Sequence, residues 1–213
     1  MELLGWIVLV AAAWLCGAVP WGLILGKFGG VDVRQHGSGA TGATNTLRLL
    51  GWKVALSVFL LDFAKGLLPV LVARWFDAPG WVLAATAVVP VIGHCWSPYI
   101  GFKGGKGMAT GGGAAVGLAW WLVLLLIPMI GIVALTRYVS LASISAAIVG
   151  PAIVVILAAT GHFSWWNALG IVALAALIIY QHRTNIARLR AGTERKFGNR
   201  EQSSVPVNSA PHS

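Results

Sequence analysis

Residues 3–25 carry no charged side chain, a run of 23 residues, where about 20 apolar residues suffice for a helix to cross a bilayer. A segment of that length cannot sit in water, and in lipid every backbone polar group must be satisfied within the segment or within a closed barrel. The remaining ionisable residues cut the chain into further runs of the same kind. One lies between Lys53 and Arg74, interrupted by Asp62 and Lys65. Another covers the 16 uncharged residues 78–93, and two more are bracketed by Arg137, His162 and His182. Only 10 % of the chain is charged, against about 25 % in soluble domains. An all-α, polytopic integral membrane protein is therefore expected. The first run follows Glu2 rather than the basic start that a cleaved signal peptide would carry, so it is read as a retained helix.

The net charge of +9 would suggest nucleic-acid binding in a soluble protein. Here it is assigned to topology, because cytoplasmic loops of membrane proteins hold the surplus of Lys and Arg, and no nucleic-acid partner is expected. Residues 27–53 contain Lys27, Arg34, Arg48 and Lys53, the third connection contains Lys103 and Lys106, and Arg183, Arg188, Arg190, Arg195, Lys196 and Arg200 follow Tyr180. All three are placed inside. Lys106 and Arg137 then share one side, so the 30 uncharged residues between them must cross an even number of times. Thirty helical residues reach only about 45 Å at about 1.5 Å each, short of two full crossings. Two shortened helices are expected, with the turn near Pro128 or near Trp120 and Trp121. The sum is about seven transmembrane helices, N-terminus outside and C-terminus cytoplasmic; six with an external basic tail is the alternative. Residues 1–196 are read as one domain, and residues 197–213 as a disordered cytoplasmic tail. Cys16 and Cys95 form neither a disulfide framework nor a metal-ligand spacing, and no cofactor is called for.

The chemistry lies in the loops assigned to the cytoplasm. Gly37-Ser38-Gly39-Ala40-Thr41-Gly42-Ala43-Thr44-Asn45-Thr46-Leu47-Arg48 combines small residues, which leave N–H groups accessible, with hydroxyl, amide and guanidinium donors. That is anion-binding composition. It satisfies G-x-G-x-x-G, with Asp62 twenty residues on, but a dinucleotide fingerprint needs a preceding strand and an apolar helix precedes it here. Gly101-Phe102-Lys103-Gly104-Gly105-Lys106-Gly107-Met108-Ala109-Thr110, next to His94, Ser97 and Tyr99, is not a Walker loop, since Ile100 stands where the first Gly is required and Gly107 replaces the magnesium-holding hydroxyl. It can still hold phosphate between Lys106 and the N-terminus of a helix starting near Met108. A third cluster, His182-Arg183-Thr184-Asn185-Ile186-Ala187-Arg188, begins where the last span meets the cytoplasm. Asp62 and Lys65, three apart inside the second span, can pair locally and serve either function or structure.

These blocks together become specific. Asp32-Val33-Arg34-Gln35-His36-Gly37-Ser38-Gly39, Gly42-Ala43-Thr44-Asn45, Leu61-Asp62-Phe63-Ala64-Lys65-Gly66, Gly93-His94, Phe102-Lys103-Gly104-Gly105-Lys106-Gly107, Tyr138-Val139-Ser140-Leu141-Ala142-Ser143 and His182-Arg183-Thr184-Asn185-Ile186 resemble the bacterial acyl-phosphate:glycerol-3-phosphate acyltransferases, over residues 17–196. The resemblance implies a seven-helix membrane enzyme of phospholipid synthesis in the bacterial cell (inner) membrane. It would move a fatty acyl group from acyl phosphate to the 1-hydroxyl of sn-glycerol 3-phosphate, giving lysophosphatidic acid and phosphate. It further implies catalytic roles for Ser38, Lys106 and His182, and substrate contacts from Gly39, Thr44, Asn45, Arg48, Gly104, Gly105 and Asn185. The family usually has Asn after Gly-Ser-Gly; Ala40 stands there in this chain. An acyl phosphate is already activated, so positioning and charge stabilisation can supply much of the rate without a covalent nucleophile. The proton acceptor is left open between a side chain and the substrate's own phosphate. A carrier or channel for a phosphorylated solute is the alternative, although transporter sites tend to lie near the membrane midplane.

Overall fold

A computed structural model describes residues 2–198. Among them the chain is all helical, without strands. Helix α1 (Leu3–Ala18) and α2 (Trp21–Phe28) divide the first apolar run at Val19-Pro20. Val19 turns out of the helix (φ −58°, ψ 119°), as expected of a residue whose α conformation is disfavoured by the following proline. A short helix α3 (Ala43–Leu50) carries the end of the first loop, followed by α4 (Trp52–Trp75) and α5 (Gly80–Cys95).

Helix α6 (Met108–Leu118) stops at Ala119, which is extended (φ −150°, ψ 97°). A 3-10 segment, Trp120–Leu125, then runs into α7 (Leu126–Thr136). The uncharged stretch between Lys106 and Arg137 is thus two shortened helices, and the break falls beside Trp120 rather than at Pro128. Helices α8 (Val139–Ala159), α9 (Trp165–Gln181) and α10 (Arg183–Arg190) complete the order, with α10 bent 57° from α9. Among the described residues, four helical stretches are long and apolar enough to cross a membrane, or five if α9 with α10 counts as one span. The expected tail falls almost wholly at residues 199–213, outside the described residues.

Helices in lipid gain little from hydrophobic association and pack instead through small residues that let backbones approach. Two seams show this. A Cβ on Gly17 of α1 would fall on the backbone of Pro90 in α5, and one on Gly93 of α5 would meet Trp14 O and Ala18 N of α1. Between α4 and α6, Gly66 lies under the carbonyl of Thr110 while Gly113 lies under the carbonyl of Phe63. Arg74, in the last turn of α4, donates from Nη2 to Leu118 O at 3.3 Å, satisfying a carbonyl at the end of α6 that has no helical partner. Helix α6 is thereby held at one end by Arg74 and along its length by α4. Its other end, at Met108, faces the site.

Candidate active site: two cavities that share a rim

A polar cavity of about 440 Å³ opens where the first loop, the start of α6, the start of α8 and the α9–α10 bend converge. Ser38, Thr44, Asn45, Arg48, Lys106, His182 and Asn185 all line it. Segments up to 147 positions apart in the chain, from Ser38 to Asn185, are thus brought together. Gly39, Gly104 and Gly105 are not in its wall. Gly104 N donates to Cys95 O (3.1 Å) and Gly105 N to His94 O (3.2 Å), so both amides are used to fasten the second loop onto the end of α5.

The first loop is organised from within by Asn45. Its Oδ1 accepts from Ser38 N (3.0 Å), and its Nδ2 donates to Val33 O (2.9 Å) and His36 O (3.2 Å). Gly37 sits so close to Asn45 Oδ1 that a Cβ would strike it, and its φ is +61°, a region that favours glycine. Asn45 therefore shapes the loop that presents Ser38, while Arg48, one turn along α3, lines the cavity.

The opposite wall is a chain of polar contacts. Lys106 Nζ donates to Asn185 Oδ1 at 2.5 Å. Asn185 Nδ2 and Ser140 Oγ donate to Glu194 Oε1 at 2.6 and 2.8 Å, and Arg188 Nε donates to Glu194 Oε2 at 2.8 Å. Burial, reinforced by the positive charge of Arg188, outweighs the attraction of Glu194; with Arg48 and Arg195 also nearby, the Lys106 ammonium is drawn down to about 8. His182 is buried at the bend, and its Nδ1 donates to Ile178 O at 2.8 Å. In the neutral ring that leaves the lone pair on Nε2.

Glu194, Ser140, Ser143, Arg188 and Arg195 belong to this wall; Ser140, Ser143 and Arg188 stand in the blocks quoted from the sequence without a role, Arg195 was counted only as a topology charge, and Glu194 was not singled out at all. One signal was present: Glu194 is the only acidic residue between Asp77 and Glu201, set among arginines. Burial tends to raise its carboxyl, but the hydrogen bonds from Asn185, Ser140 and Arg188 prevail and hold it below the usual 4.5. A carboxylate with a depressed folded-state value stabilises the fold above its unfolded value, and the contribution is lost as pH falls through the folded one. The melting temperature in detergent should therefore drop as pH falls below about 4.5, and Glu194→Gln should flatten that part of the profile. An unchanged acid limb in the variant would contradict the assignment.

A second cavity, of about 120 Å³ and almost wholly apolar, lies between α4, α6, α7, α8 and α9. Phe59, Met108, Ala109 and Met129 line both cavities. The protein thus places a cationic chamber, with Arg48, Lys106, Arg188 and Arg195 in its wall, directly against an apolar one. Cationic donors in a partly dehydrated setting suit phosphate, and the apolar chamber suits a hydrocarbon chain.

Comparison with known proteins agrees with that pairing. The glycerol-3-phosphate acyltransferase family model matches residues 7–192. A glycerol-3-phosphate acyltransferase of Synechococcus sp. (strain CC9902) is 42 % identical over 203 residues, covering 94 % of this chain and 100 % of that protein. One from Geobacter sulfurreducens is 45 % identical over 193 residues, covering 90 % and 97 %. The crystal structure of PlsY, an integral membrane glycerol 3-phosphate acyltransferase, in its glycerol 3-phosphate form superposes with a TM-score of 0.83 at 41 % identity, covering 91 % of this chain and 96 % of that one. Its lysophosphatidic acid form gives 0.81. With the family pattern running through all four converging segments and through the helices that carry them, the chain belongs to the glycerol-3-phosphate acyltransferase family.

Proposed function

We propose that this protein transfers a fatty acyl group from acyl phosphate to the 1-hydroxyl of sn-glycerol 3-phosphate, releasing lysophosphatidic acid and phosphate. The observation that carries this reading is the shared rim at Phe59, Met108, Ala109 and Met129. An acyl phosphate laid across it puts its tail in the apolar chamber, its phosphate among the cations and its carbonyl carbon at the boundary. The glycerol hydroxyl attacks that carbon, the bond from the carbonyl carbon to the phosphate oxygen breaks, and the hydroxyl proton leaves to a base or to the departing phosphate. Arg48 and Lys106 stabilise charge on the phosphates, Ser38 hydrogen-bonds substrate oxygens, and His182 and Asn185 orient the glycerol phosphate. Detergent-solubilised protein should make lysophosphatidic acid and inorganic phosphate from the two substrates with no sealed compartment present. Solute movement across liposomes without product would overturn the reading in favour of a carrier.

The same reading puts residues 1–196 in one domain with seven membrane helices, counting α6 and the segment through α7 as shortened crossings, with the N-terminus outside and the cavity facing the cytoplasm of the bacterial inner membrane. The clustering of Lys and Arg at the cavity end supports it. In a variant lacking Cys16 and Cys95, cysteines introduced at positions 34 and 104 should resist an impermeant thiol reagent added outside. One at position 78 should react, and position 200, which lies outside the described residues, should be protected. External labelling of position 200 would favour six helices.

A further inference from the structure

Asp62, Lys65 and His94 are buried together within the helix bundle and have no role in the chemistry above. Their side chains are 2 %, 3 % and 5 % exposed. Lys65 Nζ lies 2.8 Å from Asp62 Oδ1, and His94 Nδ1 lies 3.6 Å from the same oxygen. Lys65 also donates to Val19 O at 2.8 Å, the carbonyl at the break between α1 and α2, while Ser97 Oγ donates to the adjacent Ala18 O at 2.6 Å. From α2 the chain passes directly into the first loop. On the other side, His94 O accepts from Gly105 N, and a Cβ on Gly105 would collide with His94 Nε2. The imidazole is thus held between the Asp62 carboxylate and the main chain of the residue before Lys106.

An ion pair inside a membrane protein is costly, and well-packed apolar side chains would hold helices together as well or better. Asp62 and His94, moreover, reach the wall of the polar cavity. Lys65 balances a carboxylate that would otherwise repel the anions this cavity suits. We propose that Asp62, Lys65 and His94 form a positioning cluster that locks the glycine-lysine loop to the α1–α2 break, with His94 setting where Lys106 presents its ammonium to the substrate phosphate. The inference rests on the reading that Lys106 holds that phosphate.

The test is a double-mutant cycle on the purified enzyme, with KM for glycerol 3-phosphate, kcat and melting temperature measured for each variant. His94→Ala should raise KM about fivefold or more, with a smaller effect on kcat, and should add less than about twofold to the KM of Lys106→Ala, because residues acting through one another are not additive. Asp62→Asn, which keeps shape, should raise KM in the same direction and likewise add little in the His94→Ala background. His94→Gln, which retains a donor on that side, should recover part of the loss. A lowered melting temperature and kcat with KM unchanged would mean a purely structural lock and overturn the proposal, as would KM effects of His94→Ala and Lys106→Ala that multiply. Should His94→Ala fail to fold, Asp62→Asn alone decides: a folded variant with normal KM overturns it. If Lys106→Ala itself leaves KM unchanged, the phosphate role of Lys106 fails and this inference falls with it; a shifted Lys106→Ala beside an unshifted His94→Ala removes this inference alone.

Discussion

Lys106→Ala should reduce acyl transfer by about tenfold to 150-fold, whereas Lys103→Ala, two glycines away in the same loop, should cost much less. The Lys106 ammonium is mostly withdrawn from solvent and directed at Asn185, so its loss removes a charge-assisted bond worth about 1.5 to 3 kcal/mol. Lys103 is exposed and absent from the cavity wall. The pH dependence separates a specific contact from diffuse charge. An ammonium drawn down to about 8 is charged below that pH and loses its proton above it, so KM for glycerol 3-phosphate should climb as pH passes through about 8 to 9, and Lys106→Ala should lack that rise. A bound phosphate favours the charged form and will move the midpoint upward in the complex. Equal losses in the two lysine variants, both folded and inserted, would withdraw Lys106 from the site.

Gly66→Ala and Gly113→Ala should each destabilise the protein severely, by about 3 kcal/mol or more, and should abolish activity in whatever fraction still folds. Most overpacked sites find relief by rotating a side chain. Here the obstacles are the carbonyl oxygens of Thr110 and Phe63, so one helix must move away from the other. Helix α6 starts at Met108, two residues after Lys106, and α4 carries Phe59 and Asp62; separating them would pull apart the polar cavity and its rim. Gly131 of α7 is the control, because a Cβ there meets nothing within 4 Å. Gly131→Ala should be neutral or stabilising by up to about 1 kcal/mol, from helix propensity. Equal melting shifts for Gly66→Ala and Gly131→Ala would refute the packing argument.

The cationic half of the candidate site was legible because its residues occur in types and spacings that membrane spans do not need: glycines beside lysine, and Ser, Thr and Asn before Arg48. The broken stretch between Lys106 and Arg137 was legible from length against charge alone. What could not be read depends on where the chain turns. Glu194 reaches Ser140 across 54 positions after α10 bends back from α9, and no periodicity encodes a 57° bend. Gly104 and Gly105 looked like amide donors to a ligand; that their N–H groups close onto α5 follows from tertiary approach. The apolar chamber was invisible for a different reason. Residues such as Leu122, Ile171 and Leu174 that line it are the same types that face lipid elsewhere, since a bilayer removes the polar-outside pattern that reveals a core in water.

None of the residues of α7 is buried, yet Leu126 and Met129 from this helix wall the apolar chamber. The partition between that chamber and the surrounding hydrocarbon is therefore a single layer of side chains, with Ile127 and Ile130 on its outer surface 68 % exposed. On the proposed reading, an acyl donor dissolved in a micelle or bilayer meets this wall from a two-dimensional phase, in competition with every other alkyl tail there. The quantity that sets occupancy is then the donor's mole fraction in the amphiphile, and its millimolar amount in the tube matters little. Adding detergent at constant donor should slow turnover by surface dilution, and kinetic constants for the acyl substrate can be compared between preparations only when expressed on that scale.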